Sequence, residues 1–198
     1  CQFMQDPSPQ AYEAGLGVLS YLYQSKKIGL TYGGTHKFCP EPSANSINSV
    51  IAFGDASFGK TPYPYGGGFV WWRNAAVSWF ARKPTFSPDS TCLAELNILV
   101  QILKEAFFVT NLSEDLLTEI NMPHVISDSK SAIDIVRNPG TTKRSIHYER
   151  WLYFARDAYL HNKAKFFLTG TDTMMADSMT KVVDRTKFFV CRNYMMNI

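Results

Sequence analysis

Apolar residues recur at three- and four-residue steps between residues 10 and 24 (Ala11, Ala14, Val18, Leu19, Leu22), which predicts a helix. Pro7 and Pro9 precede it, where proline is tolerated. IGLTY at 28–32 fits a short strand. Residues 33–48 then switch to Gly, Pro, Ser and Asn, a linker composition. The expected organisation is an N-terminal segment 1–36, a linker 37–47 and a main domain 48–198.

From residue 49 the pattern changes. SVIAFGDASF is a continuous apolar run that predicts a buried strand. GGGFVWWRNAAVSWFARK divides into strands at 68–73 and 76–82 around a tight turn near Asn74. Ser87 and Pro88 have the chemistry of a helix cap and first helical position. The helix they predict carries Leu93, Leu96, Val100, Leu103 and Phe107 on one stripe. A short strand at 124–127 leads into another helix. Residues 146–161 predict a third, with Trp151, Ala155, Ala158 and Tyr159 inward. AKFFLTG is the last strand, and TDTMMADSMTK opens a final helix capped by Thr171 or Asp172. The order is β-β-β-α-β-α-α-β-α. Strands separated by helices lie parallel to the first, because crossover connections permit it. The expected class is α/β with α+β character: a five-stranded mixed sheet flanked by helices, with an N-terminal helical appendage.

Composition narrows the picture. With 45% hydrophobic and 19% charged residues among 198, the chain is not disordered. No apolar run approaches the roughly 18 residues of a membrane span, and no membrane partner is expected. A net charge of +3 is too small to identify a nucleic-acid binder. Cys1, Cys39, Cys92 and Cys191 form no CxxC pair and have no His at ligand spacing, which argues against zinc and for reduced thiols. The N-terminus CQFMQDPSPQ lacks both the pattern of a signal peptide and a starting Met, so a piece of a longer protein is expected.

Four acids sit at element boundaries: Asp55 near the end of the first strand, Glu95 one turn into the long helix, Asp128 ending the fourth strand and Asp177 near the last helix start. Each has an ordinary explanation, as a turn cap, a solvated helix residue, an N-cap or a helix-dipole partner respectively. Against these stands the way Phe53-Gly54-Asp55 and Val125-Ile126-Ser127-Asp128 each end a buried run with a charge, at a cost of several kcal/mol unless compensated. Four converging carboxylates repel one another unless a cation lies between them, and oxygen donors suit Mg²⁺ or Mn²⁺.

GDAS at 54–57, AEL around Glu95, ISDSKSAI at 126–133 and MADSMTK at 175–181 resemble the ribonuclease H domain of copia-type LTR retrotransposon Pol polyproteins. SIHYERWLYFARD at 145–157 is similar to that family's helix before the last strand. QFMQDPSP and VLSYLYQSKKIGLTY resemble the tail of its reverse transcriptase, which would make residues 1–36 a thumb- or connection-like segment. The resemblance implies a ribonuclease H-like fold. Its metal-binding carboxylates, D, E, D and D in chain order, fall on Asp55, Glu95, Asp128 and Asp177. In a DDE integrase or transposase the Glu comes last. The loop 168–174 lacks the mobile His of many cellular ribonucleases H, with His147 and His161 lying elsewhere, and the insert TPYPYGGG is unusual for the family. The polymerase's own Asp pair is absent.

By that resemblance the reaction is hydrolysis of the RNA strand of an RNA–DNA hybrid by two Mg²⁺ (or Mn²⁺) ions roughly 3.5–4 Å apart, giving 5′-phosphate and 3′-hydroxyl ends. Asp55 would bridge both ions, Glu95 and Asp128 would hold the leaving-group ion, and Asp177 the water-side ion. The hybrid and the rest of the reverse transcriptase are the implied partners. The implied locations are the cytoplasm, within a virus-like particle, and the nucleus. Residues 129–165 hold eight basic against three acidic residues, an excess that suits either a phosphate track or a solvated helical face with scattered ion pairs. Lys143, Arg144 and Arg150 are the candidate phosphate contacts, with Ser90 and Thr91 placed for a phosphate or a 2′-hydroxyl. The competing readings are a catalytically silent binding or scaffolding module and a DNA-cutting relative.

Overall fold

The structure is a computed structural model in which residues 5–34, 48–58, 64–116, 121–138, 140 and 149–198 are described. Two compact units divide the chain between Leu30 and Thr31. In the first, helix α1 spans Pro9–Ser25; the Ser8 hydroxyl accepts from the Ala11 amide at 3.2 Å and Pro9 takes the first turn. No residue of α1 is buried. The expected strand at 28–32 is not formed. The expected linker, 37–47, lies outside the described residues.

The second unit holds strands β1 (Ser49–Ala56), β2 (Gly66–Trp72) and β3 (Ala75–Arg82), helix α2 (Thr91–Leu116), strand β4 (Asn121–Ser127), helices α3 (Lys130–Arg137) and α4 (Glu149–Leu160), strand β5 (Lys165–Leu168), and helices α5 (Asp177–Thr180) and α6 (Arg185–Met196). The five strands form one sheet in the order β3-β2-β1-β4-β5. β1, β2 and β3 make an antiparallel meander, and β4 and β5 run parallel to β1. This is the mixed five-stranded sheet that the hydrophobic pattern predicts.

The meander turns at Arg73 and Asn74, both at positive φ (55° and 71°), the twist that joins two strands through a two-residue loop. The Asn74 amide donates to the carbonyls of Gly33 and Gly34, and the Gly33 amide donates to the Arg73 carbonyl at 2.7 Å, so residues 31–34 are tied to the sheet unit.

β1 is buried along its whole length because both sheet faces are covered. On one face Val50, Ala52 and Val70 pack with Leu96, Leu99 and Leu103 of α2, Ile133 of α3 and Leu152 of α4. On the other, Ile51, Phe53, Phe69 and Trp71 pack with Met174, Met175, Ala176 and Cys191. Phe53 stacks on Phe69 at 4.9 Å, and Trp71 on Tyr194 at 5.3 Å.

Two helix boundaries differ from expectation. α2 starts at Thr91, because Ser90 is the residue whose hydroxyl accepts from the Leu93 amide (3.3 Å) and whose carbonyl accepts from Ala94 (3.1 Å). Ser87, which has the same chemistry, lies outside the helix. TDTMMADSMTK does not form one helix. A 3₁₀ turn at Thr171–Thr173 stops at Met174, which is extended, and the core takes up Met174, Met175 and Ala176 before α5 begins. α6 then has its own cap, the Asp184 carboxylate accepting from the Lys187 amide at 2.9 Å.

Candidate active site

Asp55 is the penultimate residue of β1, paired with Gly67 of β2. Asp128 directly follows β4. The parallel register places Phe53 beside Ile126, so both acids emerge at the same end of adjacent central strands. Asp177 opens α5. One oxygen from each of Asp55, Asp128 and Asp177 lies within 4.8 Å of the others. Asp55 and Asp177 are 1% and 4% exposed, and Asp128 is half-buried. Glu95 stands outside that group but is buried beside it on α2, 6% exposed, with its Oε2 lacking a hydrogen-bond partner among the described residues.

The ordinary explanation of Asp128 as a helix cap does not hold. Ser129 caps α3, its hydroxyl accepting from the Ala132 amide at 3.3 Å. The Asp128 carboxylate points instead toward Thr171, whose hydroxyl donates to it at 3.3 Å.

Burial makes these charges costly. Glu95 is pushed up to about 9, first by desolvation and then by the negative charges of Asp55 and Asp128, against a backbone hydrogen bond from Ala56. Desolvation also raises Asp55, opposed by the Thr180 hydroxyl and by Lys181, and reinforced by Asp128 and Asp177. Partial burial works against the Lys181 ammonium, but its bond to Asp177 and the surrounding carboxylates outweigh that and hold its pKa above the usual lysine value.

Three neighbours of these acids carry roles the sequence reading did not assign. The Thr180 hydroxyl donates to Asp55 Oδ2. Lys181 Nζ lies 2.8 Å from Asp177 Oδ1 and 3.7 Å from Asp55 Oδ2. Lys187 Nζ lies 3.5 Å from Asp177 Oδ2. Thr180 and Lys181 follow Asp177 by three and four residues, the spacing of one helical face, and that signal was available. Gly67 is a further contributor: a Cβ there would lie 2.8 Å from Met179 Cβ, so only glycine lets α5 sit this close to β2. A groove of about 790 Å³ opens beside the site between Phe58, Tyr65, Thr91, Met179 and Val182.

The donor set fits a hard divalent cation. It consists of carboxylate oxygens with no thiol or imidazole among them, two of its three acids are buried, and two ammonium groups already lie against it. Asp55, Asp128 and Asp177 would hold Mg²⁺ or Mn²⁺, with Glu95 at the margin.

Of the proposed substrate contacts, Ser90, Thr91 and Arg150 fall among the described residues. Ser90 serves as the α2 cap and also donates to Asp89. Thr91 lines the groove, exposed, at the first helical position. Arg150 is exposed in the first turn of α4. Lys143, Arg144 and His147 lie outside the described residues. Part of the basic excess at 129–165 is structural. Buried Arg156 donates to the carbonyls of Ile135 and Gly140, Arg137 donates to that of Phe166, and Lys163 pairs with Asp157 at 2.9 Å. Exposed His161 pairs with the same Asp157.

The architecture is that of ribonuclease H: LC11-RNase H1, isolated from compost by a metagenomic approach, superimposes with a TM-score of 0.52 at 14% identity, over 67% of this chain and 93% of its own. The same protein in complex with RNA/DNA hybrid gives 0.51 at 13% identity, over 66% and 93%. In sequence the chain is 25% identical over 191 residues to the retrovirus-related Pol polyprotein from transposon TNT 1-94 of Nicotiana tabacum. That match covers 96% of this chain and 14% of the polyprotein, so the chain spans a small part of its relative. No protein-family profile matches. Among the described residues, no helix is long and apolar enough to cross a membrane.

Proposed function

We propose that this domain is a metal-dependent endonuclease that hydrolyses the RNA strand of RNA–DNA hybrids during reverse transcription by a retrotransposon Pol polyprotein. The observation that carries the proposal is the convergence of Asp55, Asp128 and Asp177 within 4.8 Å at the ends of adjacent parallel strands, with Glu95 buried beside them. The hybrid seen with a neighbour of the same fold supports that choice of substrate.

When bound, two divalent ions supply Lewis-acid activation of water and stabilisation of the leaving 3′ oxygen. The chain's own residues prepare the place. Asp55, Asp128, Asp177 and Glu95 would hold the ions, and Thr180 fixes the Asp55 carboxylate by donating to it. The open groove beside them receives the hybrid, with Thr91 on its wall. Lys143, Arg144 and Arg150 are assigned to its phosphates, and Ser90 to a phosphate or a 2′-hydroxyl.

The test is cleavage of labelled RNA–DNA hybrid against RNA–RNA and DNA–DNA duplexes in Mg²⁺, with Asp55→Asn as control. Cutting confined to the RNA of the hybrid, giving 5′-phosphate and 3′-hydroxyl ends and lost in the variant, is expected. Hybrid bound but uncut would replace the proposal with a silent scaffolding module, and cut DNA duplex with a DNA nuclease.

A further inference from the structure

The two lysines at the carboxylate cluster are held in different ways. Lys187 Nζ donates to the carbonyls of Thr171 (3.1 Å) and Asp172 (2.5 Å) as well as lying 3.5 Å from Asp177, and its side chain is 17% exposed. Backbone carbonyls fix it in place. Lys181 has no such anchor among the described residues. Its ammonium lies against carboxylate oxygens, Asp177 Oδ1 at 2.8 Å and Asp55 Oδ2 at 3.7 Å, and its side chain is 38% exposed. Both acids belong to the three-aspartate group.

The Lys181 ammonium therefore bridges two carboxylates that a divalent cation would also bridge. Two cations within a few ångströms of one another repel, so the lysine and the metal compete for the same oxygens. Displacement needs little. Lys181 directly follows α5 as its C-cap, in extended conformation (φ −142°, ψ 157°), with its amide bonded to the Asp177 carbonyl. Its long side chain can rotate into solvent while the backbone stays in place. Lys187 would have to leave two carbonyls.

We propose that Lys181 is a displaceable internal counter-ion, which neutralises Asp55 and Asp177 in the metal-free protein and is expelled when a divalent ion binds. It is a positioning residue that sets the metal affinity of the site. The inference rests on reading the carboxylates as a divalent-cation site, and the experiment separates the two.

Mg²⁺ alone is titrated into the whole chain by calorimetry, for the wild type and for Lys181→Met. In parallel, acylation of each lysine by N-hydroxysuccinimidyl acetate is followed by mass spectrometry in the wild type, with and without Mg²⁺. The variant is expected to bind Mg²⁺ about two- to fivefold more tightly, the scale of one partly exposed ion pair no longer opposing the metal. In the wild type, Lys181 acylation should rise on adding Mg²⁺ while Lys187 stays protected. The second readout distinguishes displacement from a change in net charge alone, and it decides the matter if the variant does not fold. Wild-type Mg²⁺ binding with unchanged Lys181 reactivity, or a variant that binds Mg²⁺ equally or more weakly, overturns the inference and leaves the metal site standing. A wild type that binds no Mg²⁺ overturns both.

Discussion

The hydroxyl of Thr180 donates to the carboxylate of Asp55, joining the end of α5 to the end of β1 within the buried site. Valine matches threonine in shape and removes the donor. Thr180→Val should destabilise the metal-free protein by about 1.5–3 kcal/mol near neutral pH, the scale of a lost hydrogen bond to a charged group. A protonated Asp55 has less need of the donor, so the deficit should shrink as pH falls. Thr180→Ser should remain close to the parent. Urea unfolding of the three proteins at two pH values measures this; a Thr180→Val deficit that does not vary with pH would assign the loss to packing.

Gly67 sets how near α5 comes to the sheet. Gly67→Ala places a Cβ 2.8 Å from Met179 Cβ and 3.0 Å from the Phe80 carbonyl. The repacking should cost about 1–3 kcal/mol. It should also move Asp177 away from Asp55, so the rise in melting temperature on adding Mg²⁺ becomes smaller. Melting curves with and without Mg²⁺ give both quantities, and an undiminished Mg²⁺ response would show that α5 tolerates the methyl in place.

The raised pKa of Glu95 has a definite sign for stability. Between its ordinary value of 4.5 and about 9, the folded metal-free protein keeps a proton that the unfolded chain has lost. The native state binds more protons in that window, so stability falls as pH rises through it, with a slope of at most about 1.4 kcal/mol per pH unit for one group. Raised Asp55 acts in the same direction. Glu95→Gln should flatten the profile of denaturation midpoint between pH 6 and 8. Mg²⁺ should bind more tightly to the parent at the upper end, because its ligands must be deprotonated. A parallel profile in the variant would count against a buried, protonated Glu95.

Asp128→Asn should abolish cleavage without destabilising the metal-free fold. Asparagine keeps the shape, and one negative charge fewer relieves the repulsion on Asp55 and Glu95. The expected result is a metal-free melting temperature equal to or above the parent's, with a smaller upward shift in Mg²⁺. Full activity together with an undiminished Mg²⁺ shift would remove Asp128 from the site.

Much of this was legible from residues alone. The strand runs are apolar and short, and the acids that end two of them are conspicuous against that background. Their convergence follows once β1 and β4 are parallel neighbours, which the crossover through α2 permits and the register shows. What remained hidden depends on competition between similar local signals or on tertiary contacts. Ser87 and Ser90 are both competent caps, and packing selects the second. Met174–Ala176 continues a helical pattern, yet the aromatic face of the sheet takes those residues out of helix. A count of basic residues cannot distinguish exposed Arg150 from buried Arg156, whose guanidinium is used up on backbone carbonyls. The contact of Lys181 with Asp55 becomes visible only when α5 is seen packed against β1 and β2.

The distance in sequence between the partners of the site gives the chain a timetable. Thr180 and Asp55 are 125 residues apart, and synthesis runs from one toward the other. A nascent chain exposes Asp55 and Glu95 long before the segment that completes their surroundings has left the ribosome. β1 also lacks its parallel neighbour until β4 has been made, and such non-local pairing is slow to close. The carboxylate group is therefore incomplete until Asp177 has been made. An mRNA truncated ahead of the codon for Asp177 would encode all five strands, with Asp55 and Asp128 but without Asp177, Thr180 and Lys181. The third aspartate arrives after the scaffold that receives it.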